Sequence, residues 1–426
     1  MEKFVIMGGR KLAGTIRVSG AKNAALPILA ATLLTGTVSV LHEVPLLKDV
    51  RCMLELLQYL GAKVTVQGKT VTIDTSTATS QRVSEDLMRK MRASNLVLGP
   101  LLSRFHCAKV SYPGGCAIGS RPMDLHLKGF RQMGAEITEK YGYIMARVPG
   151  GLRGAEIHLD FPSVGATENI MMAAVLARGR TIIRNPAREP EIVDLQNYLN
   201  LAGAKIKGAG TDVIKIDGVE ELKPVEHTII PDRIEAGTHM VAAAVTRGDV
   251  TLTNVIPEHL EAVTAKLREA GVTVETGDDW IRVRGGGELR AVDIKTLPYP
   301  GFPTDMQAQM MVLAAVARGT SIISESIFEN RFKHVDELRR MGADIKIEGR
   351  VAVVKGVSHL SGAYLEASDL RAGAALVIAG LAAEDVTVIE NIEHIDRGYE
   401  NLEHKYSALG ARIIRVNGGE RYFDKR

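Results

Sequence analysis

The chain has 426 residues, of which 46% are hydrophobic and 24% charged, so it can form two or three globular domains and is not a disordered chain. Its formal net charge is only +3 and aromatic residues make up 4%, which argues against nucleic acid or an anionic membrane surface as a partner. Any anion-binding site must therefore be local.

Along the chain, two short predicted strands within residues 1–21 are followed by six copies of one pattern. Each copy has a helix that is apolar nearly all round, a strand, a helix with polar residues at helical spacing, a glycine and a strand pair. The marker glycines, 68–73 residues apart, are Gly61, Gly134, Gly203, Gly271, Gly342 and Gly410. Because one copy cannot bury its apolar helix alone, copies should gather around shared helical cores. We expect an α/β protein of six βαβαββ-like repeats, three in each of two domains, with residues 22–230 in the first and residues 1–21 plus 231–426 in the second.

The three cysteines cannot all pair, and the N-terminus lacks the apolar stretch of a signal peptide, so we expect a cytoplasmic location. The apolar residues 372–383 are too few to span a bilayer, and no membrane segment is predicted. Cys52 and Cys107 are predicted to be core residues. Cys116 instead lies among glycines in an insertion of the second repeat, SYPGGCAIGSRPMDLH, where an exposed thiol is reactive.

Basic and polar residues precede the predicted buried helices. The polar ones, typical of helix caps, are Ser163, Thr167, Thr304 and Asp369. The basic ones are Lys22, Arg92, Arg233 and Arg371. Because a cation opposes the helix dipole at this end, an anion should lie beside it, and these positions indicate a phosphate or carboxylate site. The loops before the covering helices contribute Lys48, Arg188, Glu189, Arg331 and Arg397.

Two residues are candidates for proton transfer. Cys116, five residues before Arg121, fits a thiol proton donor or a nucleophile acting on an anionic substrate. His126 is the nearest base in sequence, but it fits a helix cap equally well. Asp305, in the rigid segment PGFPTDMQAQ, fits either a general base or a helix N-cap, and both interpretations stay open. Neither clustered metal ligands nor a nucleotide-binding glycine motif is found, so we expect no metal and no cofactor.

Motifs spread over the whole chain resemble those of the UDP-N-acetylglucosamine 1-carboxyvinyltransferase family of enolpyruvyl transferases. They are SGAKNAALP, PGGCAIGSRPMDLH, REPEIVD, PDRIEAGT, GFPTDMQAQ, FENRF and HIDRGYE. The resemblance implies a two-domain inside-out α/β barrel with threefold repeats in each domain, in agreement with the six repeats. It also implies transfer of the enolpyruvyl group of phosphoenolpyruvate to the 3′-hydroxyl of UDP-N-acetylglucosamine with release of phosphate, the first committed step of peptidoglycan precursor synthesis. We expect these two small molecules as partners, no nucleic acid and no membrane, and a monomer.

The resemblance assigns roles to individual residues. Phosphoenolpyruvate would be bound by Lys22, Asn23, Arg121 and Arg397. The sugar nucleotide would be bound by Arg92, Arg121, Pro122, Met123, Asp124, Leu125, Ser163, Val164, Gly165, Asp305 and Ile327. The implied catalytic residues are Cys116, Asp305 and Arg397, supported by Asp369, Arg331, Arg371, Glu189 and Asp232. Phe161 stands where some members carry Lys, and Leu96 where some carry Trp.

Three other functions compete with this one. The shikimate-pathway enolpyruvyl transferase shares the repeat fold but lacks a cysteine-bearing loop of this kind. A non-catalytic sugar-nucleotide sensor would not need Cys116, Asp305 and Arg397, all of which are present. An RNA-end processing protein of related repeat architecture is disfavoured by the near-neutral charge and scarce aromatic residues.

Overall fold

The computed structural model describes residues 2–83, 87, 92–112 and 123–417. They form two compact units. The N-terminal unit lies within residues 20–230, and the C-terminal unit combines residues 2–19 with residues 231–417. Each unit has a hydrophobic core of its own. In the part of the chain described, no helix combines the length and the apolar character needed to cross a membrane.

The α-helices alternate along the chain between buried and covering positions. They are α1 Lys22–Thr35, α2 Lys48–Tyr59, α3 Leu98–Phe105, α4 Asp124–Gln132, α5 Val164–Ala174, α6 Pro190–Leu201, α7 Arg233–Val245, α8 Glu261–Glu269, α9 Gln307–Val316, α10 Val335–Arg340, α11 Leu370–Ala382 and α12 Leu402–Ala408. Short 3₁₀ helices span Arg92–Val97, Pro257–Leu260, Thr304–Met306 and Ile392–Arg397.

The odd-numbered helices form the interior of each unit. In the N-terminal unit α1, α3 and α5 pack on one another, and in the C-terminal unit α7, α9 and α11 do the same. Every residue of α1 except Asn23 is buried, as a helix that is apolar all round requires. These helices are rich in alanine, whose small side chain lets three helices share one core.

The even-numbered helices cover the sheets, and each is followed by a marker glycine. All six marker glycines have positive φ, between 89° and 103°. This left-handed conformation ends a helix and is cheap only for a residue without Cβ. The glycine spacing therefore marks the same structural event in every repeat.

The strands surround the helices as small mixed sheets. In chain order they are β1 Glu2–Met7, β2 Ala13–Arg17, β3 Val38–His42, β4 Lys63–Gln67, β5 Thr70–Asp74, β6 Cys107–Ser111, β7 Glu136–Lys140, β8 Tyr143–Arg147, β9 Glu156–His158, β10 Arg180–Arg184, β11 Lys205–Lys207, β12 Val213–Asp217, β13 Val225–Thr228, β14 Asp249–Thr253, β15 Thr273–Thr276, β16 Trp280–Arg284, β17 Ile294–Lys295, β18 Thr320–Ser324, β19 Asp344–Glu348, β20 Val351–Lys355, β21 Tyr364–Glu366, β22 Val386–Glu390 and β23 Arg412–Asn417.

Each unit carries three sheets. The N-terminal unit has the strand orders β13-β3-β5-β4, β6-β8-β7 and β11-β12-β10-β9, and the C-terminal unit has β15-β16-β14-β2, β17-β18-β20-β19 and β21-β22-β1-β23. In each four-stranded sheet one edge strand pairs in parallel and the other pairs are antiparallel. With the helices inside and the sheets outside, each unit has the inside-out arrangement.

The sixth repeat is completed by the start of the chain. Its sheet places β1 between β22 and β23, antiparallel to both, where the other five repeats place the second strand of their own hairpin. Strand β2 pairs in parallel with β14 of the fourth repeat. The strand expected after residue 418 lies outside the described residues.

The hairpins approach the buried helices closely. An ideal Cβ on Gly218 would lie 1.6 Å from the carbonyl oxygen of Ala177, and one on Gly356 would lie 1.6 Å from that of Ala317. These two glycines hold corresponding positions in the third and fifth repeats, where the chain leaves the second hairpin strand. Any side chain at either position would force the sheet away from the helix.

Candidate functional site

Asp305 lies at the centre of a buried ionic cluster in the C-terminal unit. Its Oδ1 accepts a hydrogen bond from Nη2 of Arg331 at 2.8 Å, and its Oδ2 accepts from Nη2 and Nε of Arg371 at 3.0 and 3.2 Å. Both arginine side chains are only 4% exposed, whereas that of Asp305 is 25% exposed. One face of the carboxylate is thus held by two cations while a quarter of the side chain remains open to solvent.

The cluster determines the role of Asp305 in the fold. Asp305 lies in the 3₁₀ helix Thr304–Met306, and the position before α9 is held by Met306, which makes no side-chain cap. The helix-cap interpretation is therefore wrong for Asp305. Thr304 is not a cap either, because its hydroxyl donates to Oε2 of Glu325 at 2.9 Å.

Arg371 continues the network into the helical core. Its Nη1 donates to the hydroxyl of Tyr399 at 3.1 Å, and that hydroxyl lies 2.9 Å from Oγ1 of Thr238. Nε2 of Gln309 donates to Thr238 Oγ1 at 3.1 Å and to the carbonyl oxygen of Asp305 at 2.9 Å. Burial lowers the pKa of Arg371, but the facing Tyr399 and Asp305 outweigh it and hold this pKa above the usual range. Arg371 is therefore a permanently charged, rigidly oriented group.

Two of the supporting aspartates are true N-caps. Asp369 accepts from the backbone amides of Arg371 at 2.9 Å and Ala372 at 3.0 Å, at the start of α11. Asp232 accepts from the amides of Ile234 at 2.8 Å and Glu235 at 3.0 Å, at the start of α7. Each carboxylate satisfies amides that the helix leaves unpaired, so each fixes the start of a core helix.

Arg397 ends the 3₁₀ helix Ile392–Arg397 and is half-buried. The preceding Asp396 is gripped by Arg415 of β23, with Nη2 to Oδ1 at 2.6 Å and Nη1 to Oδ2 at 3.0 Å. Nε of Arg415 also donates to Glu403 of α12 at 2.8 Å. This bidentate pair fixes the short helix that presents Arg397.

In the N-terminal unit, Lys22 is the first residue of α1, and its ammonium lies 3.3 Å from Oδ2 of Asp49 in α2. Both side chains are about nine-tenths buried. A carboxylate of the protein itself thus supplies an anion beside Lys22, as expected for a cation at the start of a helix. The neighbouring Asn23 is half-buried.

The start of α5 presents the segment expected to meet the sugar nucleotide. Oγ of Ser163 accepts from the amide of Ala166 at 3.3 Å, so Ser163 is the N-cap, and Val164 and Gly165 form the first turn. A Cβ on Gly165 would lie 3.3 Å from the ring of His126. His126 is buried inside α4, and its Nδ1 lies 3.0 Å from Nδ2 of Asn169. His126 therefore lies inside α4 and not before it, so the helix-cap interpretation is wrong, while its interpretation as a base stays a prediction.

Thr167 is not a cap, because it lies inside α5 and its hydroxyl donates to the carbonyl oxygen of Ser163 at 2.8 Å. Glu189 occupies the N-cap position of α6 without a side-chain cap, and it is half-buried. Burial, followed by the negative charges of Glu191 and Glu189, raises the pKa of Glu168 well above its ordinary value. Glu189 therefore belongs to an acidic group behind the start of α5.

Three of the remaining predicted contacts lie at the start of α4. Met123 is buried and its sulfur lies 3.1 Å from Nδ2 of Asn95, Asp124 is exposed and Leu125 is half-buried. Cys116, Arg121 and Pro122 lie outside the described residues, and of Arg92 only the backbone, at the start of its 3₁₀ helix, is described. Phe161 is 45% exposed and Leu96 is buried.

The other two cysteines differ from each other. Cys52 is buried in α2, as predicted. The prediction of a core position is wrong for Cys107, which begins β6 and is half-buried, with its sulfur 2.6 Å from Oε1 of Gln81. Arg233, the remaining basic residue at a helix start, stacks 5.4 Å from the ring centre of Tyr299. Ile327 is half-buried in the loop after β18.

The structure brings together Asp305, Arg331 and Arg371 of the predicted set. Sequence reasoning missed Tyr399, Thr238, Gln309 and Glu325, which belong to the hydrogen-bond network around these three residues, and Asp49, which pairs with Lys22. For two of these residues the repeat pattern gave an indication, because Gln309 lies in the first turn of a buried helix and Asp49 in the first turn of a covering helix. Among the described residues, no group of three or more His, Cys, Asp or Glu side chains is placed to hold a metal ion.

Comparison with known proteins identifies relatives along the whole chain. The model of the EPSP synthase family (3-phosphoshikimate 1-carboxyvinyltransferase) matches residues 6–406. UDP-N-acetylglucosamine 1-carboxyvinyltransferase 1 of Carboxydothermus hydrogenoformans is 64% identical, over 99% of this chain and 100% of its own, and the protein of the same name from Symbiobacterium thermophilum is 60% identical, over 97% and 95%.

A solved structure shows the same fold. The enolpyruvyl transferase NikO from Streptomyces tendae superposes with a TM-score of 0.88 at 26% identity, covering 98% of this chain and 99% of that one. The predicted inside-out α/β fold built from repeats is confirmed. The chain belongs to the EPSP synthase family of enolpyruvyl transferases.

Proposed function

We propose that this protein transfers the enolpyruvyl group of phosphoenolpyruvate to the 3′-hydroxyl of UDP-N-acetylglucosamine and releases phosphate. The proposal rests on the relatives named for this activity, which match this chain over nearly their whole length at 60–64% identity. In a cell with a peptidoglycan wall this step would commit the sugar nucleotide to wall synthesis. We further propose that the enzyme acts in the cytoplasm as a monomer.

The reaction proceeds by addition and elimination. The hydroxyl oxygen attacks C2 of phosphoenolpyruvate while C3 gains a proton, which gives a tetrahedral ketal. The ketal then loses phosphate from C2 and a proton from C3, so the double bond returns in the product. The protein must supply a proton to C3, accept one from the hydroxyl and stabilise the departing phosphate.

Asp305 is suited to accept the hydroxyl proton. Two guanidinium groups fix the orientation of its carboxylate. A quarter of the side chain stays accessible, which is what a substrate hydroxyl needs. As the oxygen attacks C2 the hydroxyl becomes far more acidic, so a carboxylate held in place can take its proton.

Cys116 would donate the proton to C3. A thiol with a reference pKa of about 8.5 is mostly protonated at neutral pH. Lys22, Arg121 and Arg397 would bind the phosphate and stabilise it as it leaves. The ion pair with Asp49 keeps the Lys22 ammonium at the start of α1. When phosphoenolpyruvate binds, its phosphate would replace the carboxylate of Asp49 as the partner of this ammonium.

The test is a phosphate-release assay with phosphoenolpyruvate and one of two acceptors. Release with UDP-N-acetylglucosamine and none with shikimate 3-phosphate is the expected result. Release only with shikimate 3-phosphate would assign the protein to the other branch of the family. Binding of UDP-N-acetylglucosamine with no phosphate release from either pair would instead identify a sugar-nucleotide sensor.

A further inference from the structure

Glu325 is a buried carboxylate in the C-terminal unit that the mechanism above does not use. It follows β18 and is 1% exposed. Its Oε1 accepts from the hydroxyl of Thr296 at 2.9 Å and from the backbone amides of Ile327 and Phe328 at 2.9 and 3.3 Å. Its Oε2 accepts from the hydroxyl of Thr304 at 2.9 Å. Four donors converge on this one group, and none of the four is a cation.

Burying a carboxylate without a counter-charge is costly unless its oxygens are hydrogen-bonded. Three of the four donors come from the segments that carry Asp305 and Ile327, and the fourth, the hydroxyl of Thr296, comes from the residue after β17. Thr304 directly precedes Asp305, and the two amides belong to the loop that carries Ile327. Glu325 therefore ties the loop predicted to meet the sugar nucleotide to the loop that carries the proposed base.

The second connection runs through Arg331. Nη1 of Arg331 donates to Oγ1 of Thr304 at 3.3 Å, while its Nη2 donates to Oδ1 of Asp305 at 2.8 Å. Because the Thr304 hydroxyl gives its proton to Glu325, its lone pairs are left to face Arg331. The carboxylate of Glu325 thus orients the hydroxyl of Thr304, and this hydroxyl in turn orients the guanidinium of Arg331. The guanidinium then orients the carboxylate of Asp305.

We propose that Glu325 is a positioning residue for enolpyruvyl transfer, acting through Thr304 and Arg331 on Asp305 and through the loop amides on Ile327. This inference rests on the proposed function. It assigns to Glu325 no contact with the substrates. A change of about 1 Å at the base is enough to lower turnover by about 100-fold, so a residue that only orients the base can control the rate.

The decisive variants alter Thr304, because this residue carries only the link to Asp305. Thr304→Val removes the hydroxyl at nearly constant volume and leaves the bonds from Glu325 to Ile327 and Phe328 in place. We expect kcat to fall about 10- to 100-fold with the KM for UDP-N-acetylglucosamine changed less than about 3-fold. Thr304→Ser keeps the hydroxyl and should restore most of the turnover.

Glu325→Gln tests the carboxylate itself. The amide can satisfy the three donors at Oε1, but its NH₂ group then faces the hydroxyl of Thr304 and reverses that hydrogen bond. We expect a loss of kcat similar to that of Thr304→Val, and amide hydrogen exchange at Ile327 and Phe328 that stays slow. The matched control is Thr387→Val, a change at a fully buried threonine whose hydroxyl has no hydrogen-bond partner within the described residues.

The outcomes separate the two proposals. If the wild-type protein releases phosphate with UDP-N-acetylglucosamine and Thr304→Val matches it in kcat, the positioning role is refuted while the function stands. Equal losses in Thr304→Val, Thr304→Ser and Thr387→Val would also refute it, since they would indicate general destabilisation. If the wild-type protein has no such activity, the proposed function falls and the positioning role falls with it.

Discussion

Removing the charge of Asp305 should destabilise the C-terminal unit as well as slow the reaction. In Asp305→Asn the guanidinium groups of Arg331 and Arg371, each 4% exposed, lose the carboxylate between them. Removing one partner of a buried ion pair costs about 3–5 kcal/mol. Because Asp305 itself is 25% exposed and Asn keeps one acceptor oxygen, we expect the lower end, about 3 kcal/mol. For a unit of this size that corresponds to a fall of about 6–12 °C in melting temperature.

The assay uses the single tryptophan of the chain. Trp280 lies in β16 of the C-terminal unit, so its fluorescence follows the unfolding of that unit. The control is Asp249→Asn, which breaks a bidentate pair with Arg282 whose side chains are 45% and 40% exposed. An exposed pair contributes about 0–1 kcal/mol, so the control should melt close to the wild type. If Asp305→Asn melts no lower than Asp249→Asn, the two arginines do not depend on this carboxylate and the reasoning is wrong.

Three further predictions address other parts of the molecule. Cys116→Asp should keep appreciable turnover in the phosphate-release assay, since Asp can still donate a proton, whereas Cys116→Ser should be nearly inactive; equal activity in Cys116→Ser and wild type would remove the acid role. Burial lowers the pKa of His334 to about 4, below its unfolded value near 6.5, so its contribution to stability is present above pH 6.5 and is lost as the pH falls towards 4. In His334→Leu the free energy of unfolding should therefore change less between pH 7 and pH 5 than in the wild type. Urea titrations at the two pH values measure this change, and an equal change in both proteins would contradict the prediction. Gly356→Ala should cost about 1–3 kcal/mol because its Cβ meets the backbone of Ala317, whereas Gly286→Ala, where a Cβ meets nothing within 4 Å, should be neutral or slightly stabilising; equal urea midpoints would show that the hairpin is not held against the helix.

The repeat architecture was predictable because it depends on local patterns. Gly61 and its five counterparts end helices through a backbone conformation that a sequence displays directly. The burial of α1 followed from an apolar pattern without a polar face. Both features depend on short local stretches of sequence, so predicting them needs no information about distant residues.

The ionic partners were not predictable, because they are set by distant parts of the chain. The helix dipole favours an anion beside Arg371, but the carboxylate that binds it, Asp305, is 66 residues away in the sequence. Lys22 meets Asp49 across two helices for the same reason. The helix-cap interpretation of Asp305 is excluded by its contacts, because its carboxylate accepts hydrogen bonds from Arg331 and Arg371 and not from the amides at a helix start.

The position of β1 has a consequence for how the protein is made. Residues 20–230, within which the N-terminal unit lies, are translated before residues 231–417 of the C-terminal unit. The partners of β1 are β22 and β23, which are translated after every other described strand. Until β22 and β23 have been translated, β1 lacks its partners, and the apolar side chains of Phe4 and Ile6, which are fully buried in the folded protein, can promote aggregation. Shielding β1 until these two strands are available is a task for a chaperone.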